Sequence, residues 1–176
     1  DLLPEEEQVA VKKTIIQLLS ELFQLDARIL SESYGGEKFG TGIYYRLFYT
    51  TKQGKKWEFL LVFEERLLVE TVGNIVDSDS DKVNVMMMNA TRYIARQFVE
   101  RIMAHFPDSD QFELKEENLL SYKQFDRIFA QRNPQCSLLF DTRKGYFAYC
   151  MLAPHLLDEA PASSIQAENA MDQIQK

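Results

Sequence analysis

The sequence predicts an α+β domain in which a mostly antiparallel sheet packs against a long helix and an N-terminal helix. Apolar residues recur at three- and four-residue steps from about Ser80 to Phe106 and again after Pro4, as they do along one face of a helix. Short apolar segments joined by glycine-containing turns indicate strands paired as hairpins. With 176 residues, of which 45% are hydrophobic, the chain has the size of one domain. We expect this domain at residues 1–153, followed by a polar tail or linker at residues 154–176.

The N-terminal helix is predicted to begin after Pro4 and to run to about Gln24. Proline suits the first position of a helix, and the three glutamates that follow it favour the positive end of the helix dipole. Its apolar residues recur at helical spacing: Val11, Ile15, Leu18, Leu19, Leu22 and Phe23. This face is therefore expected to pack on the core.

A β-hairpin is predicted after the glycine-rich segment that follows this helix. Apolar and polar residues alternate over residues 43–50, while residues 57–63 are apolar on both faces after Glu58. A strand that is apolar on both faces lies inside a sheet, next to its hairpin partner. A short helix from Glu64 to Ile75 follows, with a glycine close to its end.

The long helix is preceded by an acidic segment that runs from Asp77 to Asp81. Aspartates alternate here as in a calcium loop, but Lys82 stands where such a loop requires glycine and Met88 stands where it requires glutamate. The better prediction is that a serine or aspartate of this segment caps the helix, because the other carboxylates favour its N-terminal dipole.

One stripe of the long helix is apolar and is expected to face the core: Val83, Met87, Ala90, Ile94, Phe98, Ile102 and Phe106. We place Ile94 at the centre of this face and advance about 100° per residue. Asn89, Arg92 and Arg96 then lie on the opposite side, and Met86 lies on the flank. Any activity of the domain is expected on this polar stripe, near Asn89.

The last third of the domain is predicted to hold a strand at residues 111–115, a helix at residues 119–130 and a closing hairpin. The hairpin joins residues 137–140 to residues 146–152, with Gly145 in a conformation that other residues avoid.

The two cysteines are predicted to be neighbours across this hairpin. If Phe140 pairs with Tyr146, counting outward places Cys136 opposite Cys150. In a reducing compartment we expect both thiols to stay free and to pack as small buried hydrophobic groups.

The net charge of −7 disfavours nonspecific binding to nucleic acid or to an anionic membrane surface, because both require a basic patch. No apolar run reaches the roughly 20 residues of a membrane-spanning helix, and the acidic start is unlike a signal peptide. We expect a cytoplasmic protein that neither binds nucleic acid nor inserts into a membrane.

The side-chain inventory contains no complete catalytic or metal-binding set, and neither a cofactor nor a metal is predicted. His105 and His155 are far apart in sequence, and no GxSxG, HExxH or Walker motif occurs. Glu116 and Glu117 are adjacent acids, which we assign to a solvated face of a helix.

The order of elements resembles the CheX branch of the CheC/CheX/FliY chemotaxis phosphatase family, from roughly Glu5 to Leu152. The segment Asn89-Ala-Thr-Arg-Tyr-Ile-Ala-Arg96 is similar to the Asn-initiated stretch of the family's signature helix. The resemblance implies a bacterial signalling domain whose partner is a response-regulator receiver domain or another signalling protein. It also makes a homodimer plausible.

In that family a Glu and an Asn three residues apart on one helix enter the active site of a phosphorylated receiver. The acid pairs with the receiver's lysine, and the Asn amide orients a water for attack on the aspartyl phosphate. Asn89 matches the catalytic Asn, but Met86 stands in the place of the Glu. A thioether cannot form that ion pair.

Three functions are compatible with this motif. The first is binding, to a receiver or to a second copy, through Met86, Asn89, Arg92 and Arg96, with a degenerate phosphatase motif. The second is a working phosphatase that uses Asn89 with an acid from elsewhere. The third is a small-ligand sensor with a pocket between sheet and helix.

Overall fold

The computed structural model describes residues 2–107 and 111–152. The elements in chain order are α1 (Glu5–Phe23), β1 (Arg28–Ser31), β2 (Gly42–Thr51), β3 (Lys56–Glu64), α2 (Glu65–Ile75), α3 (Val85–Met103), β4 (Phe112–Leu120), α4 (Tyr122–Gln131), β5 (Pro134–Thr142) and β6 (Gly145–Leu152). The predicted α+β class, with an N-terminal helix and a long helix on an antiparallel sheet, is confirmed. The tail predicted at residues 154–176 lies outside the described residues.

The six strands form one sheet in the order β1-β5-β6-β3-β2-β4, and each neighbouring pair is antiparallel. The predicted hairpin of β2 and β3 is present, and β3 is buried along almost its whole length, as its apolar sequence requires. Strand β1 was not predicted from the sequence. This edge strand has four residues and no fully buried one, so it carries little hydrophobic signal.

Each face of the sheet carries its own apolar core. On one face, α1, α2 and α3 cover a core in which Phe98 of α3 contacts Phe63 and Phe147, with ring centroids 6.2 and 5.1 Å apart. On the other face, α4 and the segment before β2 cover a smaller core that contains Leu60 and Phe125. We call these the helix-rich face and the α4 face.

The long helix is shorter than predicted, because it runs from Val85 to Met103 and not from about Ser80 to Phe106. Its cap is Asn84, whose side-chain oxygen accepts a hydrogen bond from the Met87 amide at 3.0 Å. The prediction that a residue of the preceding acidic segment caps the helix is therefore wrong.

The buried face of α3 also differs from the predicted one. Its buried residues are Met87, Thr91, Ala95, Phe98, Val99, Ile102 and Met103, whereas Ile94 is only half-buried. Thr91 is compatible with the core because its hydroxyl donates to the Met87 carbonyl oxygen at 2.7 Å. The centre of the buried face is therefore rotated away from Ile94, and this rotation decides which residues face outward.

The predicted register of the last hairpin is wrong by one residue. Phe140 pairs with Phe147, so Cys136 lies opposite Met151 while Cys150 lies opposite Ser137. A one-residue slip moves every side chain of a strand to the other face, and the observed register places both phenylalanines in the core of the helix-rich face. Cys136 belongs to this core, whereas Cys150 belongs to the core of the α4 face.

Within the two described ranges, no helix is long and apolar enough to cross a membrane.

This register predicts that the two thiols of one chain do not form a disulfide with each other. They lie on opposite faces of the sheet, and burial raises the pKa of both Cys136 and Cys150 to about 12, so little thiolate exists at neutral pH. After exposure to air, alkylation of the denatured chain should label both cysteines as fully as in a reduced control. A Cys136–Cys150 linked peptide from monomeric protein would contradict the register.

Candidate functional site

The side of α3 that points away from the sheet carries an exposed apolar surface. Val85 is 72% exposed, and Met86 and Tyr93 are each 58% exposed. Asn89 lies between them, is exposed, and has no hydrogen-bond partner for its side chain among the described residues. We define the outer face of α3 as Val85, Met86, Asn89, Arg92, Tyr93 and Arg96.

The rotation of α3 places Met86 and Tyr93, which are seven residues apart, near the middle of this outer face. The sequence pattern predicts Met86 on the flank of the helix. The three consecutive methionines differ in burial, because Met86 is exposed, Met87 is fully buried and Met88 is half-buried. The first turn is tied to the sheet through Met88, whose carbonyl oxygen accepts a hydrogen bond from the Tyr45 hydroxyl at 3.1 Å.

A carboxylate from the sheet holds the two arginines of the outer face. Glu117 of β4 accepts hydrogen bonds from Arg96 Nε at 3.0 Å and Arg96 Nη2 at 2.5 Å, and its other oxygen lies 3.3 Å from Arg92 Nε. The hydrogen bond to Glu117 raises the pKa of Arg96 above its ordinary value. The arginines are therefore oriented by a residue outside their own helix.

Tyr93 packs against the same two arginines. Its ring centroid lies 5.9 Å from Arg92 Cζ and 5.7 Å from Arg96 Cζ, within the range of a cation–π contact. Arg92, Tyr93 and Arg96 thus form a connected group above Glu117. This group lies beside Asn89 and has its torsional freedom reduced before any partner binds.

The arrangement favours recognition over chemistry. Glu117 is an acid that lies close to the predicted site residues. Its side chain is only 14% exposed, and both of its oxygens face arginines. It therefore neutralises and positions Arg92 and Arg96, and it is poorly available to a lysine of another protein. The residue three positions before Asn89 is Met86, whose thioether cannot act as the missing acid.

The four predicted site residues Met86, Asn89, Arg92 and Arg96 lie together on α3, and Arg96 is half-buried by its contact with Glu117. Sequence reasoning missed Tyr93, although its spacing of four from Asn89 and seven from Met86 is a signal for a shared helix face. It also assigned Glu117 to a solvated helical face. Glu117 lies in a strand that continues past the predicted end at residue 115, to Leu120.

An antiparallel sheet of this order, with a long capped helix on one face, defines a CheX-like fold. CheX from Vibrio vulnificus superposes with a TM-score of 0.63 at 10% identity, over 86% of this chain and 99% of that one. CheX from Desulfovibrio desulfuricans gives 0.58 at 11% identity, over 84% and 99% of the two chains. A CheC-like superfamily protein from Shewanella sp. PV-4 gives 0.55 at 9% identity, over 85% and 99%.

Identities this low establish similarity of fold alone. No protein-family model matches the sequence, and no curated protein matches it either. The predicted likeness to the CheX branch is therefore confirmed at the level of the fold, by CheX and CheC-like structures with only 9–11% sequence identity to this chain.

Replacing Glu117 with Gln is expected to lower the free energy of unfolding by roughly 1–2 kcal/mol, because the charged acceptor of Arg96 is lost at a mostly buried position. Glu113→Gln on the same strand is the matched control, since the Glu113 side chain is 71% exposed and pairs only with Lys115 among the described residues. The control is expected to change stability by less than about 0.5 kcal/mol. Equal effects in urea denaturation would show that Glu117 does not hold the arginines.

Proposed function

We propose that this chain is a bacterial signalling domain of the chemotaxis type that binds a response-regulator receiver domain through the outer face of α3. We further propose that its phosphatase motif is degenerate. The observation that carries the proposal is the grouping of Val85, Met86 and Tyr93, all more than half exposed, around an unpartnered Asn89 on one helix face. The CheX-like fold supports the choice of partner.

The composition of the outer face suits a protein interface. Tyrosine, methionine and arginine are enriched at the centres of interfaces, and a cluster of apolar side chains gains free energy when a partner removes it from water. Full burial of one such side chain is worth about 1.5–3 kcal/mol. Because Glu117 already orients Arg92 and Arg96, less side-chain entropy is lost on binding.

The charges on the outer face favour an acidic partner. The side chains of Arg92 and Arg96 stay 47% and 37% exposed although both pair with Glu117, so two cations face one carboxylate. The outer face therefore keeps an excess positive charge within an acidic protein. Complementary charge of this kind increases the rate and specificity of association.

The chemistry at Asn89 supports binding without efficient dephosphorylation. An exposed amide can orient a water beside a phosphoryl group, but the family's mechanism also uses an acid three residues earlier. Met86 cannot supply that acid, and Glu117 is engaged by arginines. Phosphoryl transfer depends on positioning and charge stabilisation, so the loss of one positioned group weakens catalysis more than binding.

Binding is expected to weaken about tenfold or more in Tyr93→Ala and in Met86→Ala, because central aromatic and apolar anchors dominate interface energies. Receiver domains of the source organism, activated with beryllofluoride, are titrated by isothermal calorimetry. Ile75→Ala is the matched control, since Ile75 is an exposed apolar residue on α2 at 65% exposure.

Two outcomes would contradict the receiver assignment. One is unchanged affinity in Tyr93→Ala and Met86→Ala. The other is a dimer in sedimentation velocity that Tyr93→Ala dissociates and Ile75→Ala does not, which would assign the outer face to self-association.

Met86→Glu is expected to restore phosphatase activity, with at least about a tenfold faster loss of phosphate from a phosphorylated receiver than in the wild type. The double variant Met86→Glu/Asn89→Ala should lose this gain, because the water-orienting amide is removed. Release of radiolabelled phosphate measures both. A wild type that accelerates the loss, with the acceleration absent in Asn89→Ala alone, would show that the motif is functional as it stands.

A further inference from the structure

A polar cleft lies on the α4 face of the sheet, away from the outer face of α3. Its volume is about 360 Å³, and it opens where the loop before β2 meets the first residues of α4. Its lining includes two glycines and Leu120, together with five residues that have polar side chains: Lys38, Thr41, Tyr44, Ser121 and Tyr122. Each of these side chains carries a hydrogen-bond donor, and none is acidic.

Tyr44 supplies a hydroxyl at the end of a buried ring, and this hydroxyl has no hydrogen-bond partner among the described residues. The residue is only 5% exposed, and its ring packs against Phe125 and Tyr122 with centroids 4.8 and 5.7 Å away. No hydrogen bond to its hydroxyl forms within the described ranges. Burial raises the pKa of Tyr44 to about 12, so the group stays protonated and remains a donor at neutral pH.

Gly42 makes room for this hydroxyl at the wall of the cleft. A Cβ atom at Gly42 would lie 2.7 Å from the Tyr44 hydroxyl oxygen, closer than the Cβ atoms of folded proteins approach other atoms. The missing side chain therefore lets the tyrosine reach the cleft lined by both residues. Glycine allows this close approach because it has no side chain.

Positive charge and free amides complete the site. Lys38 Nζ lies 5.3 Å from the centroid of the Tyr122 ring and forms no salt bridge with any described residue. Helix α4 has ten residues, and its Ser121 cap accepts from the Gln124 amide at 3.2 Å. The amides of Tyr122 and Lys123 have no acceptor within the helix and point out of its positive end.

Glu64 is an acid near the cleft whose carboxylate already has partners. A Cβ atom at Gly40 would lie 3.1 Å from Glu64 Oε2, so this carboxylate is close to the wall of the cleft. Its oxygens accept from the Tyr146 amide at 2.9 Å and face Arg66 Nε at 3.8 Å. The donors that line the cleft therefore remain available to an anion.

We propose that this cleft binds a phosphate group, either free or carried by a small molecule, with Lys38, the Tyr44 hydroxyl and the first amides of α4 as donors. Donors that converge from a loop, a strand and a helix start suit a group with several acceptor oxygens and more than one negative charge. The site is independent of the proposed receiver binding, because it lies on the other face of the sheet.

The test uses the whole chain, inorganic phosphate and glycerol phosphate at constant ionic strength, followed by amide chemical shifts. We expect saturable shifts at residues 38–44 and 122–123 with at least one of these probes. Lys38→Met and Tyr44→Phe should each weaken binding about tenfold, as expected for loss of a donor to a charged group. Both variants keep the apolar part of the side chain, and thermal melts verify their fold.

The matched controls are Lys13→Met, an exposed lysine on α1, and Tyr93→Phe on α3. Neither should change the phosphate affinity. Three results would overturn the proposal: no saturable shift with either probe, binding that both Lys38→Met and Tyr44→Phe leave unchanged, or equal affinity for acetate.

Discussion

The packing of α3 on the central strands is the interaction on which the proposed function depends. Phe98 is fully buried between the rings of Phe63 and Phe147, and truncation of such a side chain to alanine typically costs about 3–5 kcal/mol. Thr91 and Ala95 let the helix lie close to the sheet on the same side. Because a helix is rigid, this contact also determines that Met86 and Tyr93 face outward.

The candidate binding surface is composed of two elements, not one. The helix supplies its apolar side chains and both guanidinium groups, while β4 supplies the carboxylate that holds them. The same pairing that orders Arg92 and Arg96 removes Glu117 from any role as a replacement for the missing acid. Electrostatics therefore supports recognition at this surface and argues against efficient catalysis there.

The sheet separates this surface from the polar cleft. Strands β3 and β6 are buried along nearly their whole length on both faces, so each face needs its own cover. Helices α1, α2 and α3 cover one face and leave the outer face of α3 exposed. Helix α4 and the segment before β2 cover the other face and leave a cleft beside Lys38 and Tyr44. The two proposed sites therefore share no residues.

The sequence by itself determined the fold class, the β2–β3 hairpin and the helical positions of Asn89, Arg92 and Arg96, because these follow from the local spacing of apolar residues. The loss of the acid at Met86 follows directly from residue identity. Tertiary structure decided what depends on distant partners. Asn84 was selected as the cap, the last hairpin took the register that buries Phe140 with Phe147, and Glu117 reached the arginines from another element. Local patterns cannot specify these contacts, since each is chosen by the free energy of packing between segments far apart in the chain.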